Sequence, residues 1–326
     1  MTDKAAILDD RETYFALFGG NRADLSKLDF SILNLKFIER ESEEFEQYIA
    51  GIEDNSEILK NAIKEYDNSK YKKIDKNYAL VPIDSTKDVT ELDLFKVRNI
   101  LLLINPSNIT LQCLFGIRRY EKTLEFFMYD RYYVREMTFG KPFKDYFYYY
   151  DSSIDDINRL ITIFTERYEH ISYLIPAFNS YISSFLMNFK DMEYLSLCIS
   201  LETVVEATTE LNYRIKRNIA VLLSEEDTFG ERIFKNVGLI YGLRSKIAHS
   251  GKFKESKINE YLPYLRSLAS MTIIELLKLN IQNLTDLNNL LTKIGYGDSY
   301  NKSKEFEDFE ASVKDATMVF ATELTK

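Results

Sequence analysis

The sequence contains no tryptophan, only two cysteines, two histidines, five prolines and eleven glycines in 326 residues. Cys113 and Cys198 lie inside apolar, periodic segments, where a buried reduced thiol is the expected state rather than a disulfide or a metal ligand. There is no Cys-x-x-Cys pair, no His-Glu-x-x-His stretch, no Gly-x-x-x-x-Gly-Lys-Ser/Thr loop and no Gly-x-Ser-x-Gly elbow. These absences leave no motif for zinc, redox, P-loop nucleotide or α/β-hydrolase chemistry, so no metal and no cofactor is expected. The scarcity of proline and glycine argues against long disordered linkers. Long hydrophobic runs are missing as well. The strongest, Ile100 to Ile104, is far too short to span a bilayer, and the opening Met-Thr-Asp-Lys-Ala-Ala lacks the basic and apolar regions of a signal peptide. A cytoplasmic protein with no membrane partner is expected.

What is present is ordinary globular composition, 45% hydrophobic and 29% charged, in a chain longer than one core usually organises. Two units are expected, of α+β class: a mixed α/β N-terminal domain over residues 1–150 and a helical bundle over 151–296, followed by a tail helix over 297–326. Residues 109 to 117 alternate Ile109, Leu111, Cys113, Phe115 and Ile117 with Thr110, Gln112 and Gly116, the period of a half-buried strand. The apolar run before it, from Val97 to Asn105-Pro106, reads as a more deeply buried strand, and a third strand is expected at about Leu124 to Tyr133. Upstream, Phe45, Ile49, Ile52, Leu59 and Ile63 recur at helical spacings within an acidic stretch, predicting a helix or helical pair over 41–66. The segment 120–150 is dense in Phe and Tyr. Such aromatics pack sheet faces; the other reading, a stacking platform for bases, would draw on Arg118, Arg119, Arg131 and Arg135.

At Asp151-Ser152-Ser153 the period changes to three and four, carried by Ile157, Leu160, Ile161, Phe164, Tyr168 and Ile171. Helices are expected at about 154–172, 173–188, 190–208, 210–224, 229–248 and 256–281. In the tail, Phe306, Phe309, Val313 and Phe320 predict a further docked helix.

The net charge of −9 argues against bulk electrostatic coating of nucleic acid, but the charge is uneven. Between Leu211 and Lys257 ten Lys or Arg face five Asp or Glu. A solvated helical face is one reading of that excess, and an anion-binding surface is another. Inside it, the helix from Phe229 carries Ile233, Val237, Ile240, Leu243 and Ile247 and should stop at Ser250-Gly251. His249 then sits at a helix C-terminus. Arg244 precedes it by five residues, which on a regular helix separates the two side chains by about 140°. Either the helix ends early, or a second copy completes the site. The other readings are a salt-bridge or solvent-facing role for Arg244 and a capping role for His249; His170, in a helix without comparable company, is expected to be structural.

The stretch Tyr-Gly-Leu-Arg-Ser-Lys-Ile-Ala-His-Ser-Gly, residues 241–251, resembles the Arg-x4-6-His motif of HEPN ribonucleases. Upstream, Leu201 to Glu206 and Glu210 to Ala220 look like the two preceding helices of the ApeA-like HEPN group, so the resemblance covers about residues 190–280. Many members carry Asn, Asp or His directly after the arginine, whereas this chain has Ser245, which can still donate and accept a hydrogen bond. The resemblance implies a HEPN helical bundle that cuts RNA without a metal, through attack of the 2'-hydroxyl on the adjacent phosphate. His249 would act as general acid or base, and Arg244 would stabilise the phosphorane through its planar fork. Ser245, Lys246, Tyr241 and Lys252 would support the site or bind RNA, although Tyr241 equally suits packing. The implied partners are an RNA substrate and a second copy forming a homodimer, with an unknown trigger at the N-terminal domain. The implied setting is bacterial anti-phage defence or a toxin system. The other functional class is a non-catalytic HEPN adaptor for dimerisation or nucleotide binding.

Overall fold

Backbone pairing rather than side-chain alternation defines the first unit. Strand β1 (Glu12–Asn21) pairs antiparallel on one side with β3 (Lys76–Pro82) and on the other with β4 (Thr110–Arg118). Strand β2 (Leu35–Glu39) joins β3, and β5 (Thr123–Met128) joins β4, giving a five-stranded antiparallel sheet in the order β2-β3-β1-β4-β5. Helix α1 (Glu43–Ala50) starts on Ser42, whose hydroxyl accepts the Phe45 amide, and its first turn carries Glu43, Glu44 and Glu46, which suit the positive end of the helix dipole. This is a computed structural model; it describes residues 12–52, 57, 59–61, 63–64, 76–107, 109–118, 123–128, 147–203, 205, 210–224, 226–251, 253–294, 307, 309–310 and 321–325.

One face of the sheet, through Phe15, Leu17, Ile38, Ala79, Val81, Cys113, Phe115 and Ile117, packs against Phe45, Ile49, Leu59 and Ile63. Phe15 and Phe115, opposite each other on β1 and β4, stack at 4.7 Å between ring centroids. The opposite face is buried too: Phe18, Phe37 and Tyr78 meet edge to face, and Ala16, Leu80 and Leu114 are fully covered. Burial on both faces makes β1 a continuous apolar run without alternation. At Gly19 the terminal amide of Gln112 lies over the backbone, in the space that a Cβ would take.

The expected buried strand at 97–104 is instead helix α2 (Glu91–Ile104). Thr90 and Asp93 close its start with a reciprocal capping pair, the Asp93 amide donating to Thr90 Oγ1 and the Thr90 amide to Asp93 Oδ2. Leu94, Val97 and every residue from Ile100 to Ile104 are wholly buried. The run from Ile100 to Ile104 is covered on all sides and so loses the periodicity that separates helix from strand, which is why it misleads. The third expected strand is β5, shorter than anticipated in its described part; most of the aromatic segment, with Arg119, Arg131 and Arg135, lies outside the described residues, as does the Arg118 side chain.

Residues 1–101 and 107–148 form one compact unit, and 102–106 with 149–326 form the other. The second is a helical bundle: α3 (Ile154–Arg167), α4 (Leu174–Ser184), α5 (Lys190–Glu202), α6 (Leu211–Leu223), α7 (Asp227–Ser250), α8 (Glu255–Leu279) and α9 (Leu284–Lys293). These match the six expected helices to within a few residues at most ends, with α9 in addition. Helix α8 is the hub, packing on α3, α4, α5, α6 and α7, and its apolar residues from Leu265 to Leu279 are almost completely buried. Of the expected tail helix, only Ala321 is described as helical; 307, 309, 310 and 322–325 are not, and the rest lies outside the described residues. The tail residues are nonetheless docked on the bundle. Glu307 pairs with Arg159 and Arg167, and the Asn236 side chain donates to the Thr322 carbonyl and accepts the Leu324 amide. No described helix is long and apolar enough to cross a membrane.

Candidate functional site

Helix α7 runs unbroken from Asp227 to Ser250 and stops at Gly251, which adopts the left-handed conformation (φ 59°) that terminates helices and that glycine accommodates without strain. His249 is therefore in the last turn, and it is exposed. Arg244 lies about 7.5 Å back along the axis and about 140° around it. Because the helix does not end early, the two side chains diverge. His249 shares the solvent face with Gly242, Ser245 and Lys246, all exposed, and a Cβ at Gly242 would meet open space. Arg244 lies on the side of Ile233, Val237, Ile240, Leu243 and Ile247, which are buried.

That orientation aims Arg244 at helix α5. Its Nε is 3.0 Å from Glu202 Oε1 and its Nη2 donates to Oε2 at 3.3 Å, a two-point fork with both side chains less than a third exposed. The salt-bridge reading of Arg244 thus describes this chain, and Glu202 is the residue that spacing alone could not single out. It lies 42 positions away, inside the helix expected at about 190–208, and local spacing gives it no tie to position 244. The fork is the top rung of a ladder. Tyr194 donates its hydroxyl to the Ile240 carbonyl at 3.0 Å, Tyr241 donates to the Cys198 carbonyl at 3.1 Å, and Glu202 accepts from Arg244. Residues 194, 198 and 202 follow one another at successive turns of α5, so one stripe of that helix is tied three times to α7.

Tyr241 is consequently a core residue. It is buried, its phenol is held well above its ordinary pKa by that burial, and of its two readings packing is the one the geometry carries. Beneath it Cys198 is buried and its thiol is likewise pushed up by desolvation. Ser245 and Lys246 stand on the exposed face of α7; Lys252 lies outside the described residues. His170 falls in a single 3-10 turn, Tyr168–His170, after α3.

At least five of the ten basic residues in 211–257 are engaged within the chain. Arg217 caps the end of α9 through the carbonyls of Leu291, Thr292 and Ile294, Lys216 lies 4.6 Å over the Phe234 ring, Arg232 meets Glu323, Lys257 meets Glu260, and Arg244 meets Glu202. Fastening of the chain to itself is a use of these cations that the composition did not indicate. Several cations fasten helices, and Lys235, Lys246 and Lys254 are exposed. Among the described residues no group of three or more His, Cys, Asp or Glu is placed to hold a metal ion. No protein-family model, curated protein or solved structure matches the chain.

Proposed function

We propose that the chain is a metal-independent RNA endonuclease of HEPN type that works as a homodimer. Residues 151–296 would form the nuclease domain and residues 1–150 a sensor or regulatory domain. In the reaction the 2'-oxygen of RNA bonds to the adjacent phosphorus while the P–O5' bond breaks. The proton of the 2'-hydroxyl passes to a base and the departing 5'-oxygen takes one up, leaving a 2',3'-cyclic phosphate and a 5'-hydroxyl. His249 serves the proton transfers and Arg244 the charge that grows on the phosphoryl oxygens. The observation that carries this reading is an exposed histidine on the last turn of a glycine-terminated helix, five residues after a half-buried arginine. The 140° divergence supports the dimer, since two copies facing one cleft would supply from different chains what one helix cannot aim at one phosphate. The resemblance to the ApeA-like HEPN group adds bacterial defence or a toxin system as the setting.

The Glu202 fork favours a second reading, in which Arg244 is structural and the bundle is a non-catalytic adaptor for dimerisation or nucleotide binding. Incubation with RNA in EDTA separates the two. Cleavage leaving cyclic-phosphate ends, reduced at least about a hundredfold by His249→Ala and by Arg244→Ala, is the expected result. Cleavage that persists equally in both variants sinks the site assignment, and no cleavage by the wild type removes the nuclease reading. Sequencing the RNA ends from cells expressing the wild type beside His249→Ala would identify the substrate.

A further inference from the structure

We propose that Glu202 is the positioning residue of Arg244: it grips the guanidinium along its Nε–Nη2 side and thereby turns the Nη1 edge outward as the receptor for an RNA phosphodiester. The inference rests on the nuclease reading and adds to it a residue, an orientation and a charge balance.

Four observations carry it. The contact is side-on, Nε to Oε1 at 3.0 Å and Nη2 to Oε2 at 3.3 Å, so it occupies one of the two edges a guanidinium offers to planar anions. The Nη1 hydrogens and the second Nη2 hydrogen point away from Glu202, and among the described residues nothing bonds to them; the side chain keeps 29% of its exposure. The grip is also rigid at its base. The hydroxyls of Tyr194 and Tyr241 tie α5 to α7 on the two turns below, so the carboxylate and the guanidinium meet on a framework already locked. Finally, Glu202 is the last residue of α5, the end where the helix dipole is negative and where a carboxylate is the least favourable charge. An acid at that place makes sense through its partner rather than through its own helix.

The charge balance has a chemical consequence. A phosphodiester is a monoanion, whereas the phosphorane formed by 2'-oxygen attack carries nearly two negative charges. Partial neutralisation by Glu202 weakens the attraction for both states, so what the pair contributes to kcat is direction, an Nη1 edge held where the phosphoryl charge develops, while ground-state binding stays loose. A bare arginine would hold RNA more firmly and swing more freely.

The test uses the full-length protein, a labelled single-stranded RNA and EDTA, comparing wild type, Glu202→Gln and Glu202→Asp for kcat, KM and the salt dependence of binding. Glu202→Gln keeps the shape and removes the charge. It should lower KM and steepen the plot of log affinity against log salt by about 0.7. It should also reduce kcat by up to about a hundredfold, because the fork loses its second acceptor. Glu202→Asp, which keeps the charge on a shorter arm, should restore the wild-type salt slope and recover part of kcat. A purely structural pair would lower melting temperature in both variants without moving the salt slope. A Glu202→Gln protein that cuts with wild-type kcat and an unchanged slope overturns the positioning role while leaving the nuclease intact. A wild type that neither binds nor cuts RNA removes the nuclease reading, and the phosphate role with it.

Discussion

The sheet unit and the helical unit solve the same problem, the choice of neighbours, with different groups. In the sheet, β1 recognises β3 and β4 through its backbone, and the side chains on both faces are left free to be apolar: Phe15 on Phe115, Phe18 on Phe37, Leu17 and Val81 in one cluster. In the bundle each helix satisfies its own backbone, so polar recognition between helices falls to side chains. Tyr194 and Tyr241 bind carbonyls of the facing helix, Arg244 and Arg266 reach Glu202 and Glu193 on α5, and Arg217 closes the end of α9. Polar groups that fasten helices are thus already oriented and partly desolvated. A site needs little more than one such group with an edge left open, and Arg244 is placed that way.

Breaking the sheet unit should give the largest effect. Phe115→Ala removes a ring stacked on Phe15 at the centre of a fully buried cluster and should cost about 3–5 kcal/mol in chemical denaturation. A loss below about 1 kcal/mol would mean that the cluster is not the seat of that unit's stability.

The next prediction concerns the alkaline pH dependence of the sheet unit. Burial pushes the Cys113 thiol up to about 12 from an ordinary value of 9.0, against a smaller opposing pull from Arg40. A group whose folded pKa is raised stabilises the fold fully below its unfolded pKa, and that contribution is lost as pH rises towards the folded value. The sheet unit should therefore weaken between about pH 9 and pH 12, by at most about 1.4 kcal/mol per pH unit from this thiol. Cys113→Ala should flatten the alkaline slope in melts followed by circular dichroism. Slopes that match in wild type and variant would show that Cys113 does not ionise on unfolding in this range.

Third in size is Arg217→Ala in the bundle, which strips three carbonyl contacts from the end of α9 and should cost about 1.5–3 kcal/mol. Lysine should recover only part, since a point charge cannot address Leu291 and Ile294 with separate arms. Hydrogen exchange confined to residues 284–293 would show the loss to be local; uniform exchange across the bundle would contradict the capping role.

The same division explains what could be read from the sequence. Bundle helices bury one stripe each, so Ile157, Leu160, Ile161 and Phe164 spell out α3, and Gly251 after Ile247 spells out the end of α7. Two-sided burial erases such signals. Tyr14 to Phe18 of β1 and Ile100 to Ile104 of α2 are both continuous apolar runs, so β1 shows no strand period and the end of α2 resembles a buried strand. The cue for α2 was chemical rather than periodic, in the Thr90 and Asp93 capping pair. At the candidate site, the position of His249 followed from local spacing. The partner of Arg244 is a long-range fact, because only the packing of α5 on α7 brings position 202 to position 244.

The smallest expected effect tests the ladder itself. Tyr241→Phe deletes one hydroxyl, keeps the ring that fills the core, and leaves the Cys198 carbonyl with its intrahelical bond. The stability loss should be about 0.5–1.5 kcal/mol, the ordinary worth of one buried hydrogen bond. If the rungs act together in holding the Arg244 fork, combining Tyr241→Phe with Glu202→Gln should cost less than the sum of the two single changes, because each removes part of what the other relied upon. Strict additivity would mean that the three ties fasten α5 to α7 independently. The fork's direction would then be set by the Glu202 carboxylate alone rather than by the framework beneath it.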